Sequence, residues 1–293
     1  MKLVVLDEYG ELFEMSELYV VATPIGNLGD ISQRALDVLQ RVDMIAAEDT
    51  RHSRKLLSHF HIDTPLCSYH RHNERSRTES LITQLASGKS IALISDAGTP
   101  LISDPGSFLV AAAMARQFRV IPIPGPSALV AALSVSGLSS EKFAFEGFLP
   151  AKASARRREL QQLKDETRTL IFYEAPHRIL DTITDMAEIM GEQRRAVIAR
   201  EITKAYETLH ADCLENIRDW IQADENQRRG EIVILMQGAE LQHLSEGLDR
   251  EEVLKILLAE LPLKQAAGLA AKITGGKKNE LYARALELNK MHE

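Results

Sequence analysis

From Leu18 to Leu133 the chain alternates short apolar, β-branched runs with longer runs whose apolar residues recur every three or four positions. The short runs cover residues 18–22, 44–47, 66–69, 90–94 and 119–123; the longer ones cover 31–42, 50–60, 74–86 and 107–116. Strand and helix in turn imply an α/β domain with a mainly parallel sheet covered on both faces. Asp30 is placed to cap the first of these helices. In such sheets ligands bind at the carboxyl ends of the strands, so the loops there carry the functional argument.

The loop at residues 95–106 reads Ser-Asp-Ala-Gly-Thr-Pro-Leu-Ile-Ser-Asp-Pro-Gly and joins a strand to a helix. Its glycines and prolines shape a backbone whose amides and carbonyls can face a ligand, and Asp96, Thr99, Ser103 and Asp104 add short polar side chains. It holds no Lys or Arg and no G-x-x-x-x-G-K-[ST] pattern, so it suits a polar ligand that is not strongly anionic. The same residue types also build a tight structural turn. After the first strand, Thr23-Pro-Ile-Gly-Asn27 stands where a dinucleotide-binding chain carries G-x-G-x-x-G; one glycine and a proline do not make that pyrophosphate turn. Pro124-Gly-Pro-Ser-Ala128 presents free amides and Ser127 beside the central loop, or simply opens a helix.

A joint at residues 135–140 leads into a second α/β region. Strands are read at 143–148, 169–173, 196–200 and 231–236, helices at 154–164 and 178–190, and a further segment at 207–211. Strands with no helix between them imply a mixed sheet. Ionic clusters sit at three strand ends: Tyr173-Glu-Ala-Pro-His-Arg178, Arg200-Glu-Ile-Thr-Lys204 and Arg229-Gly-Glu231. Each alone is an ordinary solvated strand end; together with the polar loops of the first region they point to a cleft between domains. The division expected is residues 1–17 as an extension with a hairpin turning at 8–10, 18–136 and 137–240 as α/β domains, and 241–293 as a helical tail. The tail's helices around Gly275-Gly276 read either as a helix-turn-helix that contacts nucleic acid or as a cap over apolar surface.

A net charge of −7 argues against indiscriminate nucleic-acid binding. The cations are concentrated, however: Arg51, Arg54, Lys55, Arg71, Arg75 and Arg77 stand against only Asp63 and Glu74 between them, and Lys152, Arg156, Arg157 and Arg158 follow with no acid. On the helix after Glu48, Arg51, Arg54 and Lys55 share a face, which meets an anionic partner or is merely solvated. Cys67 and Cys213 form no metal or redox spacing, and no run reaches the ~18 apolar residues of a membrane span; a cytoplasmic protein is expected.

These motifs in this order, with Glu-Asp-Thr-Arg-His-Ser from Glu48, Glu-Gly-Phe-Leu-Pro-Ala-Lys from Glu146 and Phe-Tyr-Glu-Ala-Pro-His-Arg from Phe172, resemble the ribosomal RNA small subunit methyltransferase I family, from about Leu18 to Gly238. Many members show Ser or Thr near Ala175, a small departure. The resemblance implies the tetrapyrrole methylase architecture of two α/β domains with S-adenosylmethionine held between them, a homodimer, and 2′-O-methylation of a cytidine in 16S ribosomal RNA. Methylation of a tetrapyrrole-like small molecule is the alternative. Pro24, Asp96, Gly98, Thr99, Pro100, Leu101, Ile102, Ser127, Ala128, Tyr173, Glu174 and Ala175 are then expected on the cofactor. Arg51, Arg54, Lys55, Arg71, Arg75, Arg77, Lys152, Arg156 and Arg157 are expected on RNA. Candidates for a catalytic acid or base are Glu48, Asp49, His52, Glu174, His177, Glu201 and Lys204, among which the residue types do not choose; no metal is expected.

Overall fold

The computed structural model describes residues 4–6, 12–14, 16–239 and 250–290. It contains two compact units, one formed by residues 1–164 and 169–237 and the other by 165–168 and 238–293. In the first, β1 (Val4–Leu6) and β2 (Leu12–Glu14) pair antiparallel; the turn expected at 8–10 lies outside the described residues. There follow β3 (Glu17–Val21), α1 (Gln33–Arg41), β4 (Met44–Ala47), α2 (Thr50–His59), β5 (Leu66–Ser68), α3 (Glu74–Ala86), β6 (Ile91–Ile94), α4 (Ser107–Ala115), β7 (Arg119–Ile123) and α5 (Ala128–Val135).

The sheet runs β5-β4-β6-β3-β7, with every pairing parallel. Side chains alternate across it, as the period of two requires. Tyr19, Val21, Ile45, Ala92 and Ile94 pack with Val38, Leu39 and Leu57 on one face. Leu18, Ala46, Ile91 and Leu93 pack with Leu81, Leu85 and Leu109 on the other. Helix α1 starts at Ser32, whose Oγ accepts from the Ala35 amide at 3.1 Å, rather than at Asp30, which ends a short 3-10 turn.

The chain continues through β8 (Phe143–Phe148), α6 (Ala153–Leu163), β9 (Thr169–Glu174), α7 (Ile179–Met190), β10 (Arg195–Arg200), β11 (Thr208–Cys213), α8 (Leu214–Ala223) and β12 (Ile232–Met236). This second sheet, β11-β10-β12-β9-β8, is mixed: only β8 and β9 are parallel. Its outer face carries α6, α7 and the unforeseen α8, whose Leu214, Ile217 and Ile221 repeat at helical spacing and are buried. Leu129, Ala132 and Leu133 of α5 cover the opposite face, against Ile171, Val197, Val233 and Leu235.

In the second unit α9 (Arg250–Glu260), α10 (Leu263–Thr274) and α11 (Lys278–Lys290) enclose a cluster of Leu254, Ala267, Ala270, Leu281, Ala285 and Leu288. Gly275 ends α10 in the left-handed conformation, φ 65°. Among the described residues no helix is long and apolar enough to cross a membrane.

Candidate active site

The carboxyl-end loops of the first sheet and the strand ends of the second enclose a cleft of about 460 Å³. Three loops are tied together along it. Thr23 and Gly98 exchange backbone hydrogen bonds of 2.9 and 3.1 Å, and Thr99 Oγ1 donates to the Pro126 carbonyl at 3.1 Å. Within 98–106 four residues are left-handed: Gly98 (φ 82°), Leu101 (73°), Ser103 (69°) and Gly106 (139°). A loop so bent against backbone preference persists only where its surroundings over-determine it, as ligand-binding loops often do. Gly106 permits the bend, because a β-carbon there would meet Leu93 at 2.7 Å and Leu101 at 3.0 Å.

Five acids line the cleft, Glu48, Asp96, Asp104, Glu174 and Glu231, and among the described lining residues there is no Lys, Arg or His. Their states differ. Burial, reinforced by the charges of Asp104 and Asp96 and opposed by Arg71, pushes the Glu48 carboxyl up to about 7. Burial also raises Asp104, against a hydrogen bond from Ser95 and the charge of Arg71. Arg71 is itself anchored by donating to the Ser103 carbonyl. Asp96 Oδ1 accepts from the Asp49 amide at 3.0 Å. Glu174 is fully engaged: it accepts from the Ala175 amide at 2.7 Å and Thr182 Oγ1 at 2.5 Å, and pairs with Arg178 at 3.3 Å. Such a carboxylate, held by three partners, shapes the strand end.

Of the expected catalytic candidates only Glu48 and Glu174 line the cleft. Asp49 instead caps α2, accepting from the Arg51 amide at 2.8 Å. His52 and His177 point to solvent. Glu201 and Lys204 pair with each other at 2.8 Å at the rim. Burial alone would raise Glu201, but the bonds from Lys204 and the Glu231 amide hold it below the usual carboxylate range. Of the expected cofactor residues all line the cleft except Pro24, Pro100 and Leu101. Ser103, Asp104 and Glu231, named in the sequence motifs but not among the expected cofactor residues, also line it, as do Phe148 and Ile202, neither of which was singled out. The first two stand in the central loop, and Phe148 and Glu231 stand in the Glu-Gly-Phe and Arg-Gly-Glu runs, so a signal existed.

The cations divide. Thr50, Arg51, Arg54, Lys55 and Ser58 line a shallow hollow on α2, with Arg51 held at 3.3 Å by Asp49. Arg75 lies 5.1 Å over the Phe108 ring, and Arg77 and Lys152 are exposed. Arg156 corrects the expectation that it faces RNA, whereas Arg157 keeps a partly exposed side chain. Arg156 is only 4% exposed, and its Nε pairs with Asp185 at 2.6 Å. Arg157 pairs with Asp185 and Glu188 at 2.6 Å each. Buried charges need partners, and α7 supplies them.

Residues 17–218 match the family described as Tetrapyrrole (Corrin/Porphyrin) Methylases, and residues 246–289 match one described as RsmI C-terminal HTH domain. The chain is 56% identical over 272 residues to ribosomal RNA small subunit methyltransferase I of Pseudomonas aeruginosa, covering 92% of this chain and 96% of that one. It is 52% identical to the protein of the same description from Escherichia coli O157:H7, covering 92% and 95%. Solved structures with the same fold include diphthine synthase, at TM-score 0.57 and 15% identity over 76% of this chain and 90% of that one. Cobalt precorrin-4 methyltransferase aligns at TM-score 0.55 and 13% identity, over 75% and 94%.

Proposed function

This chain belongs to the ribosomal RNA small subunit methyltransferase I family, with the tetrapyrrole methylase fold, and we propose that it methylates a cytidine 2′-hydroxyl of 16S ribosomal RNA with S-adenosylmethionine as donor. The observation that carries this reading is the charge of the cleft: five carboxylates and no cation among the described lining residues. A phosphate-bearing cofactor would be repelled there, whereas a sulfonium with an amino-acid tail and a neutral adenosine fits amides, carbonyls and acids. Gly98, Thr99, Ser127 and Ala128, with Tyr173 and Ala175 opposite, are the residues that would hold it. When bound, the donor supplies an electrophilic methyl group.

Glu48 is the base in this reading. A ribose hydroxyl is a weak acid, and proton removal by a positioned group contributes about 10²–10⁴-fold. The base works best with a pKa near the operating pH, as the Glu48 carboxyl has at about 7. With donor and acceptor bound, the cleft walls would have to align the acceptor oxygen with the methyl group, and such positioning supplies up to about 7–11 kcal/mol. Glu174, saturated by its partners, and Glu201, locked to Lys204, serve the frame of the site.

The exposed cations of α2 and Arg71 fit RNA phosphate; a polycarboxylate tetrapyrrole would also suit cations, and it is the likeness to ribosomal RNA methyltransferases that favours RNA as the acceptor. A homodimer in the cytoplasm completes the reading. The test is mass spectrometry of ribosomal RNA nucleosides after incubation of unmodified small subunits with the protein and labelled donor. Label in 2′-O-methylcytidine supports the proposal; label in no nucleoside overturns it.

A further inference from the structure

We propose that Phe148 is a stacking platform for the base of the acceptor nucleotide. The assignment rests on the RNA methylation reading above and adds the side chain that holds the base. Strands β8 and β9 pair in parallel, but the register shifts between Phe145 and Gly147. In a regular strand Phe145 and Phe148, three positions apart, would point to opposite faces. The bulge puts both rings against Tyr173, at centroid separations of 4.8 and 5.7 Å and interplanar angles of 67° and 63°. Bulges beside active sites characteristically re-aim a side chain in this way.

Gly147 suits the bulge first through its backbone and then, more weakly, through the space beside it. Its φ is +69°, and a β-carbon there would stand 3.3 Å from Ser103 Oγ. The Ser103 carbonyl in turn accepts from Arg71, the cation that acts on Glu48 and Asp104. The ring lines the cleft, is anchored at its edge on Tyr173, and is 52% exposed. A phenyl group left half in water contributes little to a core, so a bulge that holds it there serves a ligand.

The ligand's chemistry follows from the site. For a ribose 2′-hydroxyl to reach a carboxylate inside the cleft, the nucleotide must leave its stack, which exposes both faces of its base. Unstacked RNA bases are recognised by aromatic rings. The acidic lining repels phosphate and accepts a neutral cytosine, and Arg71, exposed and next to the cluster, is placed for the flanking phosphate.

Two measurements on the full chain test the platform. First, Phe148→Ala should raise the KM for small subunits on the order of tenfold, the loss typical of one base–aromatic stack, with calorimetric affinity for S-adenosylmethionine unchanged; Phe148→Tyr should behave as wild type. Second, the chain has one Trp, so a Trp220→Phe, Phe148→Trp protein reports from position 148 alone, and a short cytidine-containing oligonucleotide should quench its fluorescence without turnover. An unchanged KM in Phe148→Ala, or no quenching, overturns the platform while the methyltransferase reading stands. A loss of donor affinity instead assigns the ring to the donor's adenine and also overturns it. A wild type that transfers no methyl group to ribosomal RNA removes the functional reading and the platform with it.

Discussion

The side chain of Lys204 lies across Gly26, where a β-carbon would stand 2.4 Å from Lys204 Cγ and 2.7 Å from its Cε. The lysine comes from the loop after β10 in the second sheet, the glycine from the loop after β3 in the first. Lys204 Nζ reaches Glu201 at 2.8 Å and Glu231 at 3.1 Å. Gly230 makes the same kind of room on the other side, since a β-carbon there would stand 2.4 Å from Glu201 Cδ. Glu201 and Thr203 are left-handed, φ 53° and 69°, and Ile202 between them lines the cleft. A strained turn is thus held by a charge clasp whose hydrocarbon stem rests on the opposite loop.

Gly26→Ala should therefore place a backbone strain of about 1–3 kcal/mol on this contact and weaken binding of the methyl donor to the extent that the turn carrying Ile202 shifts to relieve it. Lys204→Ala removes the steric part, so the double variant should lose less than the sum of the two single changes. Calorimetry of donor binding to the four proteins reads the coupling, and strictly additive losses would show that the clasp does not act through Gly26.

Protonation of Glu48 predicts the pH profile. Below about pH 7 the carboxyl is neutral, so kcat/KM should fall tenfold per pH unit there and level off above. Glu48→Gln should lose roughly 10²–10⁴-fold in rate and the limb with it. Stability moves the other way. A carboxyl raised from 4.5 to about 7 binds more protons folded than unfolded between those values, so it opposes folding increasingly as pH rises through that window. The melting temperature of Glu48→Gln relative to wild type should climb from pH 4.5 to 7 and then stay level. A parallel pH dependence of the two proteins would refute the shift.

The buried Arg156 gives a stability prediction. Asp185→Ala leaves Arg156 charged and without its partner in the core, at a cost of about 3–5 kcal/mol. Urea denaturation measures it. Because Arg156 is buried, the variant is expected to keep the wild-type salt dependence of RNA binding; a changed dependence would return it to the interface.

On α2, Arg54→Gln with Lys55→Gln should weaken RNA binding uniformly across sequences. The slope of log K against log salt should shrink by about 0.7–0.9 for each phosphate that is no longer neutralised. Donor affinity should stay constant. A slope equal to that of wild type would mean that this face is only solvated.

Sequence alone determined what depends on local periodicity. The alternation from Leu18 to Leu133 yields the parallel sheet, because period-two strands buried on both faces and period-3.6 helices have one economical way to pack. The cleft position followed, since loops such as 95–106 must lie at the carboxyl edge. Tertiary structure decided what depends on which distant groups meet. Glu48, Asp49, His52, Glu201 and Lys204 were equivalent as residue types; burial beside Asp96 and Asp104 sets Glu48 apart, and a glycine far along the chain receives Lys204. Arg156 read as a surface cation because its partner, Asp185, lies on another helix. Phe148 read as one more strand phenylalanine because a bulge is a relation between two strands. Charge, exposure and protonation are properties of assembled neighbours, and a linear pattern carries only the near ones.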